Sequence, residues 1–130
     1  MKLTEVYRCL CDETRLRMVH LLTHGPLCVC HFQEILQLPQ VAVSKHLAYL
    51  RQHGLVEKRR HQQWMIYFLP DEPPPELAAH LRCLEECAGS QPTLCGDLQR
   101  LEKRRRCCEW VRDAFATATP VRGRKTVVAA

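Results

Sequence analysis

Cysteine is the residue type that carries most of the chemistry in this chain: there are nine in 130 residues. Cys28 and Cys30 flank a single valine, and Cys107 and Cys108 are adjacent. Thiolates are soft donors and select thiol-seeking ions. A three-coordinate As(III) or Sb(III) centre requires three sulfurs on one side of the ion, whereas Zn(II) or Cd(II) prefers four ligands. An odd cysteine count without a secretion signal reads as reduced thiols rather than a disulfide framework. The start, Met1-Lys2-Leu3-Thr4-Glu5, places charges where a signal would need an apolar stretch, so a cytoplasmic location is expected. No apolar run approaches the roughly 18 residues of a membrane span, and no membrane partner is expected.

The elements that must position these thiols follow from apolar spacing and stop signals. Thr4 is placed to cap a helix running through Cys11, and Asp12 to cap a second that His24-Gly25-Pro26 ends. Val29 to Leu36 is a third, short helix, with Phe32, Ile35 and Leu36 at helical spacing. Gln37-Leu38-Pro39 turns into a fourth, from Gln40 to His53, whose Val43, Leu47 and Leu50 face inward and which Gly54 stops. Two β-rich runs, 55–60 and 64–69, flank His61-Gln62-Gln63 and predict a hairpin. After a proline-rich break, Glu76 to Cys87 returns to helix, Ala88 to Pro92 reads as a linker, and roughly Leu94 to Ala118 is helical in pattern. The expected class is mainly α with a β-hairpin wing: a winged helix-turn-helix in the order α-α-α-α-β-β-α plus a C-terminal helical extension. The corresponding organisation is a DNA-binding and dimerisation domain over 1–87, a linker and C-terminal helix over 88–118, and a basic tail over 119–130.

A helix that reads bases enters the major groove with polar side chains near its N-terminus and cations on either side to hold phosphates. The fourth helix offers Gln40, Val41, Ser44, Lys45, His46 and Arg51, and the hairpin adds Arg59 and Arg60. The net charge is +5, concentrated in Lys58-Arg59-Arg60-His61 and Lys103-Arg104-Arg105-Arg106. These blocks suit phosphate, though a charge run also serves as an ordinary solvated face.

The segment Leu38-Pro39-Gln40-Val41-Ala42-Val43-Ser44-Lys45-His46-Leu47-Ala48-Tyr49-Leu50-Arg51, followed by Gly54-Leu55-Val56, resembles the recognition helix of the ArsR/SmtB metalloregulator family. Leu10-Cys11-Asp12-Glu13-Thr14-Arg15-Leu16-Arg17 resembles the family's entry into its second helix, and Trp64-Met65-Ile66-Tyr67-Phe68-Leu69 its second wing strand. Together these cover about residues 5 to 70. The resemblance implies a homodimeric repressor, not an enzyme, that binds double-stranded operator DNA and is released by ligand. In the hairpin turn, family members commonly carry a glycine where this chain has His61-Gln62-Gln63, so a non-glycine residue is expected to take positive φ.

Leu27-Cys28-Val29-Cys30-His31-Phe32 resembles the thiol motif of the arsenic-responsive members, with Pro26 at an often acidic position and Gln33 where many carry a third cysteine. The Cys-x-Cys pair lies where the third helix begins, so unsatisfied N–H groups should lower both thiol pKa values. Residues two apart diverge in a regular helix, so joint ligation is expected to need a distorted first turn. Cys107 and Cys108, preceded by three arginines that favour thiolate, are the expected source of further sulfur; some arsenic repressors similar to this chain carry such a C-terminal pair. The inducer expected from this is As(III) or Sb(III). A Zn(II) or Cd(II) sensor with Cys28, Cys30, Cys107 and Cys108 as four ligands, and a thiol redox switch, are the alternatives. Cys9 and Cys11 read as core filling. His80, Cys83 and Cys87 share one helix face and could hold a metal, but read better as an apolar interface.

Overall fold

The computed structural model describes residues 1–104. Its elements are α1 (Leu3–Leu10), α2 (Glu13–Leu22), β1 (Leu27–Cys28), α3 (Val29–Leu36), α4 (Gln40–Gln52), β2 (Glu57–His61), β3 (Trp64–Phe68), α5 (Pro75–Cys87) and α6 (Pro92–Lys103), with a 3-10 turn at Ala88–Ser90. The winged helix-turn-helix order expected from sequence is present, with β1 as an addition.

Local chemistry sets most boundaries. Asp12 caps α2 by accepting a hydrogen bond from the Arg15 N–H at 3.0 Å. Thr4, in contrast, lies inside α1, whose N-cap is Lys2. The Met1 amino group stands 3.6 Å from the Glu76 carboxylate of α5. Gln37 ends α3 in the left-handed region at φ 57°, with its N–H and that of Leu38 both donated to the Gln33 carbonyl. Pro39 then opens α4 from the N-cap position. Gly54, at φ 80°, turns the chain out of α4. Pro92, expected in a linker, is the first residue of α6, where its missing N–H costs nothing.

The sheet has three antiparallel strands in the order β1-β3-β2. Pairing of Glu57 with Phe68 through His61 with Trp64 leaves a two-residue turn, and Gln62 there takes φ 55°, as expected for a wing turn without glycine. β1 is only two residues long, Leu27 opposite Tyr67 and Cys28 opposite Ile66. So short a strand gives no alternation to read, and its partner lies about forty residues away.

One core joins these elements. Met18 and Leu21 of α2, Phe32 and Ile35 of α3, Leu47 and Leu50 of α4, Leu55, and Leu77 of α5 are fully or almost fully buried together. Leu94 and Leu101 of α6 belong to the same cluster. Asp97 of α6 is completely buried and accepts two hydrogen bonds from Arg17 of α2, both 2.8 Å, and one from Arg100 at 3.3 Å. Arg104 reaches Glu34 of α3 at 2.8 Å. A buried charge of this kind persists only when paired and hydrogen-bonded, and here it clamps α6 onto α2.

Candidate thiol site and nucleic-acid interface

Cys28 is the last residue of β1 and the N-cap of α3, with extended backbone at φ −97°, ψ 169°. Cys30 is the second residue of the helix proper. This placement removes the geometric objection raised by sequence: because Cys28 precedes the helix, its side chain folds back over the first turn, and the two sulfurs meet at 2.6 Å without any distortion of α3. His31 completes the group. Its Nδ1 accepts the Cys28 backbone N–H at 3.3 Å and lies 3.3 Å from the Cys28 Sγ. An N3 side chain bonding back to the N-cap backbone is one half of a capping box, here made with imidazole.

The Cys28 Sγ, Cys30 Sγ and a His31 ring nitrogen all lie within 4.8 Å of one another. Cys28 and His31 are buried and Cys30 half-buried, so one sulfur faces the entry side and the other two donors form the floor. Burial acts to push the Cys28 thiol up, but contacts with the His31 ring and the Cys30 thiol outweigh it and bring Cys28 below the ordinary range. Cys30 goes the other way, pushed up to about 12 by burial and by the proton it shares with Cys28. The expectation that the helix end lowers both thiols therefore fails for Cys30. Two sulfurs 2.6 Å apart in a partly desolvated pocket cannot both carry charge until a cation stands between them. Two thiols and one imidazole suit a thiophilic ion of low coordination number.

The other described cysteines lie away from this group, Cys83 and Cys87 beside each other on α5. Cys9 fills the core, as expected, but Cys11 is exposed, its Sγ donating to the Arg8 carbonyl at 3.2 Å, which corrects the core reading for that residue. Cys83 and Cys87 are both exposed on α5. His80 Nδ1 bonds its own helix at the Glu76 carbonyl, and its ring meets Tyr7 edge-on at 4.8 Å. Among the described residues the three do not form a metal-sized cluster. Cys107 and Cys108 lie outside the described residues. Sequence reasoning missed His31 as a member of this cluster; the signal was its position three residues after an N-cap.

α4 presents Gln40, Val41, Lys45 and Arg51 to solvent, with Ser44 and His46 half-buried beside them. Val41 is 67% exposed among these polar side chains. Strand alternation divides the wing cations. Lys58 and Arg60 stand on the open face of β2, whereas Arg59 lies half-buried with its guanidinium 5.4 Å from the centre of the Phe68 ring. Arg15, packed over the Tyr49 ring at 4.3 Å and bonded to the Cys9 carbonyl, braces α4 against α2.

Residues 12–58 match the model of bacterial regulatory proteins of the arsR family. A helix-turn-helix regulator of Methanocaldococcus jannaschii, itself uncharacterized, is 35% identical over 72 residues, 55% of this chain and 81% of that protein. The chain belongs to the arsR family. Another arsR relative, an arsenic resistance transcriptional regulator of Pseudomonas putida, is 44% identical over 78 residues, 59% of this chain. The alignment spans 61% of that relative's length. Among solved structures, HlyU from Vibrio cholerae superposes with a TM-score of 0.58 at 31% identity, covering 64% of this chain and 87% of that one. These relatives are transcriptional regulators, and the arsR fold here carries gene-regulatory rather than enzymatic features. Among the described residues no helix is long and apolar enough to cross a membrane.

Proposed function

We propose that the protein is a repressor that binds operator DNA as a homodimer and lets go when a thiol-seeking ion, As(III) or Sb(III), binds Cys28 and Cys30. The observation that carries this reading is the pairing of the two sulfurs at 2.6 Å at the head of α3, the helix immediately before the one that would enter the major groove. Gln40, Val41, Ser44 and Lys45 at the start of α4 would meet base edges, and His46, Arg51 and Arg60 would serve phosphates, while Arg59, expected among them from sequence, is turned against the Phe68 ring. The identity to an arsenic resistance regulator favours the metalloid inducers. Cys107 and Cys108 are available as additional sulfur. The presence of an imidazole among the donors supports a second reading in which Zn(II) or Cd(II) is the effector.

Coupling would run through two connections. Cys28 pairs with Ile66 in the central wing strand, and α3 leads through a three-residue turn into α4. An ion seated on Cys28 and Cys30 would spread sulfurs that stand 2.6 Å apart, and so would move both the wing and the recognition helix, which bear on different parts of the groove. The test is release of a fluorescent operator duplex titrated with arsenite, antimonite, zinc, cadmium and peroxide. Cys28→Ser should keep operator affinity and lose release by arsenite; normal release would remove Cys28 from the site. Lys45→Ala should weaken operator binding while inducer affinity stays constant.

A further inference from the structure

We infer that Arg15 is a positioning residue for operator reading: through the Tyr49 ring it sets the rotation of α4 about its own axis, and with it the aim of Ser44 and Lys45 at base edges. This rests on the reading above that α4 enters the major groove. One side chain here joins three helices. Arg15 stands in the first turn of α2; its Nε donates to the Cys9 carbonyl at 3.0 Å and its Nη2 to the Arg8 carbonyl at 3.1 Å. Both are among the last carbonyls of α1, which lack helical donors. The guanidinium lies over the Tyr49 ring of α4, 4.3 Å from its centre, and Nη1 stands 3.8 Å from the Asp12 carboxylate. The side chain is 15% exposed, so these contacts act in a largely desolvated joint. The Asp12 carboxyl is held below its ordinary range first by the Arg15 N–H and then by the charges of Arg15 and His46, which places a second residue of α4 near the same elbow. Tyr49 also meets the His53 ring at 4.5 Å, so it has neighbours in α2 and in the last turn of its own helix.

The aliphatic face of α4 fixes its depth more than its aim. Val43, Leu47 and Leu50 are buried, and apolar contacts are non-directional. The planar guanidinium, tied to α1 by two of its nitrogens, is directional. Tyr49 follows Lys45 by about one helical turn, so a rotation at Tyr49 carries Lys45 with it. At a side-chain radius of about 5–6 Å, a rotation of about 10° displaces a side-chain end by about 1 Å. A base contact holds its heavy atoms within about 2.7–3.2 Å and is lost by such a displacement, whereas a long lysine or arginine adjusts to keep a phosphate. Loss of the Arg15 contact should therefore lower sequence preference more than general affinity for DNA.

The probe is the duplex that the full-length, reduced wild-type protein selects from a random-sequence pool, compared with a scrambled duplex of the same composition by fluorescence anisotropy at several salt concentrations. Tyr49→Leu is the informative variant, because it removes the ring and leaves the Arg15 bonds to α1 in place. Its preference for the selected duplex should fall about tenfold, the worth of one base contact, with affinity for the scrambled duplex within about twofold of wild type. Tyr49→Phe keeps the ring and should match wild type. Arg15→Met should repeat the Tyr49→Leu result and add no further loss of preference in the Tyr49→Leu background; additive losses would overturn the inference. The slope of log affinity against log salt should stay constant throughout, because no phosphate contact is removed. A slope shallower by about 0.9 in Arg15→Met would reveal a direct phosphate contact and overturn the inference, as would full preference in Tyr49→Leu. Circular dichroism melts establish that each variant is folded at the assay temperature. If Arg15→Met unfolds, Arg15→Lys takes its place, with a smaller loss of preference that again vanishes without the ring, and a loss that persists there counts against Arg15. A wild-type protein that selects no sequence removes the repressor reading and this inference together, whereas a selective wild type with an equally selective Tyr49→Leu protein removes this inference alone.

Discussion

Replacing Asp97 by alanine should be the most damaging single change on α6. The carboxylate is completely buried and accepts from Arg17 Nε and Nη2, both at 2.8 Å. Removing one partner of a buried pair costs about 3–5 kcal/mol, because the other charge is left unpaired. The lower end applies here. The Arg17 side chain is 20% exposed and can recover part of its hydration, and Arg100, at 54%, contributes little as a surface ion pair. The expected loss is therefore about 3 kcal/mol, which at an urea m-value of about 1.5 kcal/mol per molar lowers the unfolding midpoint by about 2 M. Urea unfolding followed by far-ultraviolet circular dichroism measures it, at one fixed protein concentration so that any self-association does not shift the midpoint. A cycle with Arg17→Ala should return a coupling of about 2 kcal/mol, whereas Arg100→Ala should couple by less than about 1 kcal/mol. A loss below about 1 kcal/mol for Asp97→Ala, or an equal loss when Arg17 is already alanine, would refute the clamp.

Asp12→Ala should cost about 1 kcal/mol through loss of the α2 cap. The carboxyl of Asp12 is held below 3.8, first by the Arg15 N–H, so its contribution is present above that pH and is lost as pH falls through the lower folded value; acid titrations of the two proteins should converge there. His20 is buried, with no hydrogen-bond partner for its Nδ1 among the described residues, and burial holds its pKa below 6.5. The unfolded chain then binds the extra proton, so stability should fall below about pH 6.5 by at most about 1.4 kcal/mol per pH unit. His20→Gln should flatten that slope in urea midpoints taken between pH 5 and 7.5, and an unchanged slope would assign it to another group. Gln62→Gly should relieve left-handed strain at the wing turn, offset by greater freedom of the unfolded chain, for a net gain of about 0.5 kcal/mol; a net loss in thermal melts would contradict the strain.

Much of the fold was legible because its signals are local. The α3 and α4 boundaries follow from apolar spacing and the stops at Gln37 and Gly54, and the wing from two β-rich runs closing on 61–63. Long-range features were not legible in this way. Asp97 finds Arg17 80 residues away, and β1 becomes a strand only because β3 passes beside it. At the site, the spacing of Cys28 and Cys30 singled out two thiols that the structure brings together, but it misjudged how they meet. Helical periodicity does not apply to a residue that caps the helix from outside. The same cap explains His31, which looked like an ordinary helix residue until its ring was found on the Cys28 N–H. Cys30 was misread because burial, and after it a second sulfur at 2.6 Å, outweigh the pull of a helix end on a thiol.

The three donors at the head of α3 occupy four consecutive positions, 28–31, supported by one strand residue and one helical turn. Such a block is inherited as a unit: no distant substitution has to arise in step with it, and recombination cannot separate its parts. Were this block to hold the proposed inducer, exchange of ion preference would be a matter of one or two codons, with residue 28 the least replaceable because strand and cap already share it. The same contiguity makes the block a portable module, one that could be written into another winged helix at the corresponding strand-to-helix junction.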